Sequence, residues 1–215
     1  MKVIIIGDGR HSQVIQEMIS ALPEYKIVAV LDDKYEEPFY AKGITYAEIS
    51  FIYMLLTANT KVVVAIGSNE SRKNIVENLP LIAEQYLTVI HPSAVISPSA
   101  SIGYGTVVMP NAAVNARSRI GQHSIINTGS IIEHDNLVEN YTHISPNATL
   151  AGQVSIGEGS HICSSATIIP GKNIGNWSIV GAGSTVLNDI PSYSKAVGSP
   201  TRIIEKSFIS KVQNK

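Results

Sequence analysis

Hydrophobic residues recur every six positions along the second half of the chain. From Ile96 to Val186, every sixth residue is Ile, Val or Leu, without interruption. Most of these positions have Ala, Ser or Thr two residues earlier, and several are followed at once by Gly. An α-helix repeats every 3.6 residues and a strand every 2, so neither gives this spacing. A six-residue repeat is the signature of a parallel β-helix.

The repeat also predicts which residues lie on one another. Three six-residue units close one triangular coil of about 18 residues, and successive coils should lie about 4.8 Å apart. The apolar residue of each unit points inward, and the small residue turns the corner. We therefore expect Gly152 to lie on His134 and Arg117 to lie beneath Asp135 as its ion-pair partner. His143 should lie half a coil away from His134.

The first 88 residues alternate short apolar strands with helical segments. We predict strands at 2–6, 26–31, 61–66 and 86–90, and helices at 14–22, at 51–57 and from 69 to about 79. Apolar strands of this kind are typical of a buried parallel sheet, whose ligands bind beyond the carboxyl ends of the strands. The sequence thus predicts a Rossmann-like α/β domain at 1–88, a β-helix at 89–190 and a C-terminal cap at 191–215. Within the cap, 203–212 is expected to form a short helix or an ordered tail.

Composition narrows the function. The net charge of −1 argues against nucleic-acid binding, which needs a basic surface. The single cysteine, Cys163, forms no internal disulfide, which fits a reducing cytoplasm. The apolar run at 3–6 is too short for a signal peptide, and no apolar stretch reaches the roughly 18 residues of a membrane span. We expect a cytoplasmic protein with no membrane span.

The turn after the first predicted strand has the character of a phosphate-binding loop. Its sequence is Gly7-Asp8-Gly9-Arg10-His11-Ser12, which lacks the third glycine of the dinucleotide-binding fingerprint. The segment 1–88 is long enough for only one of the two mononucleotide-binding halves of a dinucleotide-binding domain, and one half suits a UDP-sugar better than NAD. Backbone N–H groups at the start of the next helix are expected to meet the diphosphate. The same edge of the sheet carries the other expected substrate-binding residues: Asp32, Asp33, Lys34, Gly67, Ser68 and Asn69. The alternative is that all of these form ordinary βα turns.

Several motifs together resemble one family. They are Gly7-x-Gly9-x-His11, Asp32-Asp33-Lys34, Ala65-Ile66-Gly67-Ser68-Asn69-Glu70-x-Arg72, Asn127-Thr128, Ile132-Glu133-His134-Asp135 and His143. This set resembles the sugar O/N-acetyltransferases of the sialic-acid and bacillosamine pathways (the NeuD/PglD-like family) and their exopolysaccharide-operon relatives, over nearly the whole chain. The repeat by itself resembles the left-handed β-helix of acyltransferases. The resemblance implies acetyl transfer from acetyl-CoA to the 4-amino group of a UDP-linked sugar, in a homotrimer, without a metal.

The resemblance also implies roles for individual residues. Acetyl transfer needs a base for the acceptor proton and a donor for the oxyanion. His134 is expected to be the base, and either Glu133 or Asp135 is expected to orient it. Asn127 is expected to line the acceptor pocket, and His143 to contact the acetyl-CoA thioester or the acceptor from a neighbouring subunit.

Other residues are expected to meet acetyl-CoA. Gly152 should leave open space beside the base, where a thioester meets a backbone N–H. The segment containing Gly198, Pro200 and Arg202 resembles the part of related acyltransferases that approaches the CoA arm.

Three other functions stay open at this point. A sialic-acid O-acetyltransferase would use the same base on a hydroxyl group. A zinc enzyme like the γ-class carbonic anhydrases would need three converging histidines, and the short-spaced histidine pair typical of that class is absent. A non-catalytic nucleotide-sugar-binding protein would have no use for Glu133-His134-Asp135. His143 and His161, one coil apart, can also be read as a plain histidine ladder.

Overall fold

The computed structural model describes residues 1–206, and the chain divides into two compact units, Met1–Val89 and a second that begins at Ile90. The first unit is an α/β domain. Its elements are β1 (Lys2–Ile6), α1 (Arg10–Ser20), β2 (Lys26–Leu31), β3 (Phe39–Ala41), β4 (Ile44–Ala47), α2 (Ile52–Leu55), β5 (Thr60–Val64) and α3 (Asn69–Asn78). Two 3-10 turns, Ile49–Phe51 and Ala83–Gln85, complete it.

The strands of this unit form one sheet in the order β3-β4-β2-β1-β5. Strands β1, β2 and β5 run parallel, and most of their apolar side chains are fully buried. The carboxyl ends of β1 and β2 therefore lie side by side, and the predicted binding turns Gly7–His11 and Asp32–Lys34 follow them. This is the edge at which an open α/β sheet binds ligands.

Parts of the first unit differ from the sequence-based prediction. The hairpin of β3 and β4 was not predicted. Its two-residue turn is Lys42-Gly43, and both residues have positive φ, the geometry that usually selects Asn-Gly. The helix predicted at 51–57 is shorter, because the chain becomes extended at Leu56. The strand predicted at 86–90 is only a single bridge from Tyr86 to Val62, followed by the strand Val89–Ile90.

The second unit is a left-handed parallel β-helix with three faces. Each face is a stack of two-residue strands that pair in parallel at a shift of 18 residues, as Ala113 pairs with Ile131. The first face contains Val95–Ile96, Ala113–Val114, Ile131–Ile132, Thr149–Leu150, Thr167–Ile168 and Thr185–Val186. The second contains Ser101–Ile102, Arg119–Ile120, Leu137–Val138, Ser155–Ile156 and Asn173–Ile174.

The third face is the longest. It contains Val89–Ile90, Val107–Val108, Ile125–Ile126, His143–Ile144, His161–Ile162, Ile179–Val180, Ser194–Val197 and Arg202–Lys206. Its last strand, Arg202–Lys206, runs antiparallel to Ser194–Val197. The residues predicted as a short helix or tail, 203–212, therefore begin as a strand, and the positions beyond 206 lie outside the described residues.

The apolar residue of each six-residue unit forms the core of the β-helix. From Val108 to Val186 every one of these side chains is buried, while Ile96 and Ile102 in the first coil are partly buried. The small residue at the corner is also buried from Thr106 onward, and where it is Ser or Thr its hydroxyl can join neighbouring coils. Thr106 Oγ1 donates to the Gly121 carbonyl and accepts from the Ser124 N–H. Asn136, a departure from the small-residue rule, does the same with its amide: Nδ2 donates to the Glu133 carbonyl, and Oδ1 accepts from the Val154 N–H.

A second six-residue period concerns the backbone. Every sixth residue from Gly105 to Gly183 has a positive φ, because each corner is a tight turn whose third residue is left-handed. Five of these residues are glycines, and two of the glycines also leave room for a ring from the next coil. A Cβ at Gly159 would lie 2.4 Å from the Trp177 indole, and one at Gly105 would lie 2.3 Å from His123 Nδ1.

This geometry predicts that two glycine substitutions differ in cost. Gly159→Ala and Gly171→Ala both place a Cβ at positive φ, at about 1–2 kcal/mol each. Only the Cβ at 159 meets a ring; at 171 it meets open space. We expect Gly159→Ala to lose about 1–3 kcal/mol more in the free energy of unfolding, measured by urea denaturation with far-UV circular dichroism. It should also shift the fluorescence of Trp177, the one tryptophan of the chain. Equal unfolding midpoints for the two variants would contradict the close packing of the Trp177 ring on Gly159.

Candidate active site

His134 lies at a corner of the β-helix, in the turn between Ile131–Ile132 on the first face and Leu137–Val138 on the second. Its imidazole points outward and is half exposed. The next residue, Asp135, is the left-handed residue of the turn, with φ of 60°. Asp tolerates this conformation better than most residues, and the turn directs its carboxylate back toward the histidine.

The predicted ion pair between Arg117 and Asp135 is confirmed, and its carboxylate also contacts His134. Arg117, one coil earlier at the equivalent turn position, donates from Nε to Asp135 Oδ1 at 2.6 Å and from its terminal nitrogen to Oδ2 at 2.8 Å. Asp135 Oδ2 also lies 2.8 Å from His134 Nδ1. Hydrogen bonds from Arg117 and His134 hold the pKa of the Asp135 carboxyl well below its usual range. The carboxylate is therefore charged and acts only as an acceptor.

This contact determines the tautomer of the neutral imidazole. Because the Asp135 carboxylate only accepts, His134 Nδ1 must carry the hydrogen, and the lone pair is then on Nε2. The sequence left open whether Glu133 or Asp135 orients the ring, and the structure places Asp135 on Nδ1. Within residues 1–206, the hydrogen bonds of Glu133 use its backbone. Its carbonyl accepts from Ser118 Oγ and Asn136 Nδ2, and its N–H donates to the Leu150 carbonyl.

Gly152 lies against the His134 ring, as the coil register predicts. A Cβ at this position would lie 2.6 Å from Cε1 and 2.7 Å from Nε2 of the imidazole. We expected open space for a thioester here, and that expectation was wrong, because the imidazole itself occupies the space. Gly152 therefore provides room for the candidate base.

Asn127 and His143 form a second cluster on the third face. Asn127 Nδ2 lies 3.0 Å from His143 Nε2. The His143 ring stacks on His161, with ring centroids 4.6 Å apart and planes within 3°, so the histidine ladder considered from the sequence is present. Ser145 Oγ in turn lies 2.7 Å from His161 Nε2. Within one chain, this cluster and His134 lie on different parts of the triangular section, as predicted.

In the α/β unit, the glycine turn is held by residues from the end of β2. The Asp8 N–H donates to Asp32 Oδ2 at 2.7 Å, so this backbone donor is already engaged. The Asp8 carboxylate accepts from Lys34 Nζ at 2.8 Å and from the Tyr35 hydroxyl. Burial raises the pKa of Asp8, but these hydrogen bonds outweigh it, and the net shift is downward. The predicted residues Asp32 and Lys34 therefore brace the turn.

The helix that follows the turn has an open N-terminus. Gly9 is the N-cap of α1 and provides no side-chain cap, and the first turn contains no acidic residue. Backbone N–H groups at such an end favour an anion. Arg10 and His11 form the first turn of this helix. Burial, together with the nearby Arg72 charge, lowers the pKa of His11 to about 4, so its ring is neutral at neutral pH.

The third predicted turn has a clear structural role. Ser68 caps α3 by accepting from the Ser71 N–H, and Asn69 Oδ1 accepts from a terminal nitrogen of Arg72 at 2.8 Å. The Arg72 side chain is buried, and its other terminal nitrogen donates to the carbonyls of Ile66 and Gly67. Sequence reasoning gave no role to Arg72, Asp8 or Tyr35, although each organises a predicted binding turn.

Asp33 and the C-terminal segment complete the predicted set. Asp33 Oδ1 accepts from the Ile49 N–H at 3.0 Å and lies at the exposed edge of the sheet. Gly198 has φ of 100°, and its N–H donates to Ser184 Oγ, which ties the segment 198–201 to the last coil. Pro200 follows at the surface, and Arg202 begins the exposed strand Arg202–Lys206.

Two further findings concern the described residues as a whole. Within 1–206 there is no group of three or more His, Cys, Asp or Glu side chains that could hold a metal ion. No helix in that part of the chain is both long and apolar enough to cross a membrane.

The chain is similar to enzymes that acetylate amino sugars. Residues 2–79 match the family model described as the PglD N-terminal domain. The chain is 46% identical over 105 residues to UDP-N-acetylbacillosamine N-acetyltransferase of Bacillus subtilis (strain 168). That match covers 48% of this chain and 49% of the other, so it spans about half of the relative's length.

Solved structures extend the similarity over both units. A variant of perosamine N-acetyltransferase from Caulobacter crescentus, in complex with CoA and GDP-perosamine, is 35% identical, with a TM-score of 0.87 over 95% of this chain and 97% of that one. The acetyltransferase domain of PglB from Neisseria gonorrhoeae, in complex with acetyl coenzyme A, is 35% identical, with a TM-score of 0.85 over 94% and 98%.

The contact between Asp135 and His134 can be tested without substrate. In Asp135→Asn, the new side-chain amide donates to Nδ1, so the major neutral tautomer of His134 should change from Nδ1–H to Nε2–H. The measurement is ¹⁵N NMR of the imidazole at a pH where the ring is neutral. Glu133→Gln is the matched control and should leave the tautomer unchanged. A tautomer that changes in Glu133→Gln and stays constant in Asp135→Asn would assign the orienting role to Glu133.

Proposed function

Because the chain belongs to the NeuD/PglD-like family of sugar acetyltransferases, we propose that it transfers acetyl from acetyl-CoA to the 4-amino group of a nucleotide-linked amino sugar. The observation that carries the proposal is the hydrogen bond between His134 Nδ1 and Asp135, which leaves the Nε2 lone pair of an outward-facing imidazole for a proton. The sugar is expected to be linked to UDP and to feed surface polysaccharide or glycan synthesis.

The reaction requires His134 to take up one proton and then to return it. The acceptor nitrogen attacks the thioester carbonyl, a C–N bond forms, and the acceptor proton passes to His134 Nε2. The C–S bond then breaks, and His134 returns the proton to the CoA sulfur, so that CoA leaves as the thiol and the imidazole is neutral again. Asp135 keeps the ring in the required tautomer and stabilises the imidazolium, as the carboxylate of a catalytic triad does. In this scheme acetyl-CoA is a co-substrate, and no step uses a metal.

The α/β unit is proposed to hold the nucleotide. The open N-terminus of α1 suits a diphosphate, and the braced turn formed by Asp8, Asp32 and Lys34 presents it at the carboxyl edge of the sheet. Gly7 and Gly9 are proposed to let the backbone approach the diphosphate closely. Gly7 is also required for packing, because a Cβ there would lie 2.8 Å from Ile66 Cγ1. Asp33, Gly67, Ser68 and Asn69 at the ends of neighbouring strands are proposed to contact the base, ribose or sugar.

The activity is tested by the release of free CoA from acetyl-CoA in the presence of an acceptor. The acceptors are UDP- and GDP-linked 4-amino sugars, with sialic acid as the hydroxyl acceptor. We expect the UDP-amino sugar to raise the rate and His134→Ala to lower kcat by about 10²- to 10⁴-fold. His91→Ala, a surface histidine paired with Ser93, is the control and should retain full activity. A response to sialic acid alone would favour O-acetylation, and no response to any acceptor would refute acetyl transfer to these sugars.

We further propose that the enzyme is a cytoplasmic homotrimer with its active sites shared between subunits. The support is geometric: His134 lies at the corner between the first and second faces, while Asn127 and His143 belong to the third. A neighbouring β-helix packed side by side brings the third face of one subunit to the His134 corner of the next. Gly198, Pro200 and Arg202 are proposed to meet the CoA arm at this interface.

Subunit sharing predicts complementation between two inactive variants. When His134→Ala and His143→Ala chains are co-expressed with different tags, mixed trimers contain some interfaces with both histidines intact. With random mixing, about a quarter of all interfaces have both histidines intact. Activity should therefore recover to about a quarter of the wild-type value. The separate variants serve as controls, and light scattering gives the oligomeric state. No recovery in verified mixed trimers would place both histidines in the site of a single subunit.

A further inference from the structure

Arg117 makes a bidentate ion pair in the β-helix, and its partner is the carboxylate that contacts the candidate base. Its two donors meet both oxygens of Asp135, at 2.6 and 2.8 Å, in the bidentate arrangement that guanidinium and carboxylate favour. Exposed ion pairs contribute little to stability, and the Arg117 side chain is 66% exposed. The contact therefore needs an explanation other than holding the coils together.

The shared oxygen provides that explanation. Asp135 Oδ2 accepts from Arg117 and lies on His134 Nδ1, so rotation of the carboxylate would break both contacts. We infer that Arg117 is a positioning residue of the acetyl-transfer site: it fixes the Asp135 carboxylate on His134 and offsets part of the negative charge that the imidazole meets. The inference rests on the proposed role of His134 as the base.

The stacking of coils makes this arrangement possible. Arg117 and Asp135 occupy the same left-handed turn position in successive coils, with φ of 59° and 60°. Their Cα atoms are therefore neighbours across one inter-coil spacing, and both side chains leave the corner in the same direction. Asp135 N–H also donates to the Ala116 carbonyl, which fixes the turn relative to the coil that carries Arg117.

Arg117 has two separable effects on His134. The fork geometry restricts the carboxylate, which keeps Nδ1 as the donor and Nε2 as the base. The positive charge of the guanidinium offsets part of the carboxylate charge beside the imidazole. Of the charged residues in this part of the β-helix, Asp135 contacts the ring directly, Arg117 contacts that carboxylate, and Glu133 precedes His134 in the chain.

These effects predict different outcomes for two substitutions. In Arg117→Gln the carboxylate is no longer neutralised, so the imidazolium is favoured and less neutral base is present at a given pH. The acid limb of kcat/KM should move to higher pH by about 0.5–1 unit, and the plateau should fall as the carboxylate loses its fixed orientation. Arg117→Lys keeps the charge and loses the fork, so the acid limb should stay near the wild-type position while the plateau falls.

The matched control is Arg119→Gln. Arg119 lies two residues away on the second face, is exposed and loses the same charge on substitution. Its pH profile should follow that of the wild type, measured at the same low ionic strength. Arg117→Gln and Arg119→Gln profiles that coincide would overturn the inference, as would an acid limb that moves to lower pH.

A measurement without substrate separates this inference from the proposed function. The ring resonances of His134, assigned by their loss in His134→Gln, are followed by NMR from acid to neutral pH in the wild type and the three arginine variants. The midpoint should rise in Arg117→Gln alone. If it rises and no acceptor supports acetyl transfer, the electrostatic coupling stands and the proposed function fails. If acetyl transfer is found and the midpoint does not move, the proposed function stands and the role of Arg117 fails.

Discussion

The backbone hydrogen bonds between successive coils are the constraint on which the second unit depends. They place each residue on the one 18 positions later, as in the pair His143 and His161. Two features of the candidate site use this register: Arg117 reaches Asp135 from the coil before, and Gly152 makes room for His134 in the coil after. The β-helix thus acts as a rigid frame in which residues distant in sequence meet at one corner.

Much of this unit was predictable because its long-range contacts are periodic. A six-residue repeat converts sequence separation into spatial position, so the stacking of Gly152 and Arg117 around His134 and Asp135 followed from counting. What the repeat did not determine was side-chain direction. Whether Glu133 or Asp135 faces the imidazole depends on the left-handed φ of residue 135, and the space beside Gly152 is filled by a ring whose rotamer the repeat does not specify.

The α/β unit was less predictable, because its contacts follow no period. Its glycine turn and its strands were visible in the sequence, yet the turn is organised by Lys34 and Tyr35, which meet Asp8 across separations of 26 and 27 residues. The β3–β4 hairpin escaped prediction because its turn uses Lys42 in place of the usual Asn. Ser68 and Asn69 are expected to bind the ligand, and they also make hydrogen bonds at the start of α3. One side chain can therefore serve both the fold and the binding edge.

The unbroken repeat has a consequence for how such a chain can change in length. Adding about 18 residues would lengthen the β-helix by about 4.8 Å and leave every residue on its own face, and only the two coils that flank the added one would lose their contact. Adding a single six-residue unit between His134 and His143 would rotate everything after it by one face. Even a neutral, well-packed insertion would then carry Asn127 and His143 apart. Viable length variants of this enzyme should therefore differ by whole coils or by loops that leave the coil at a corner.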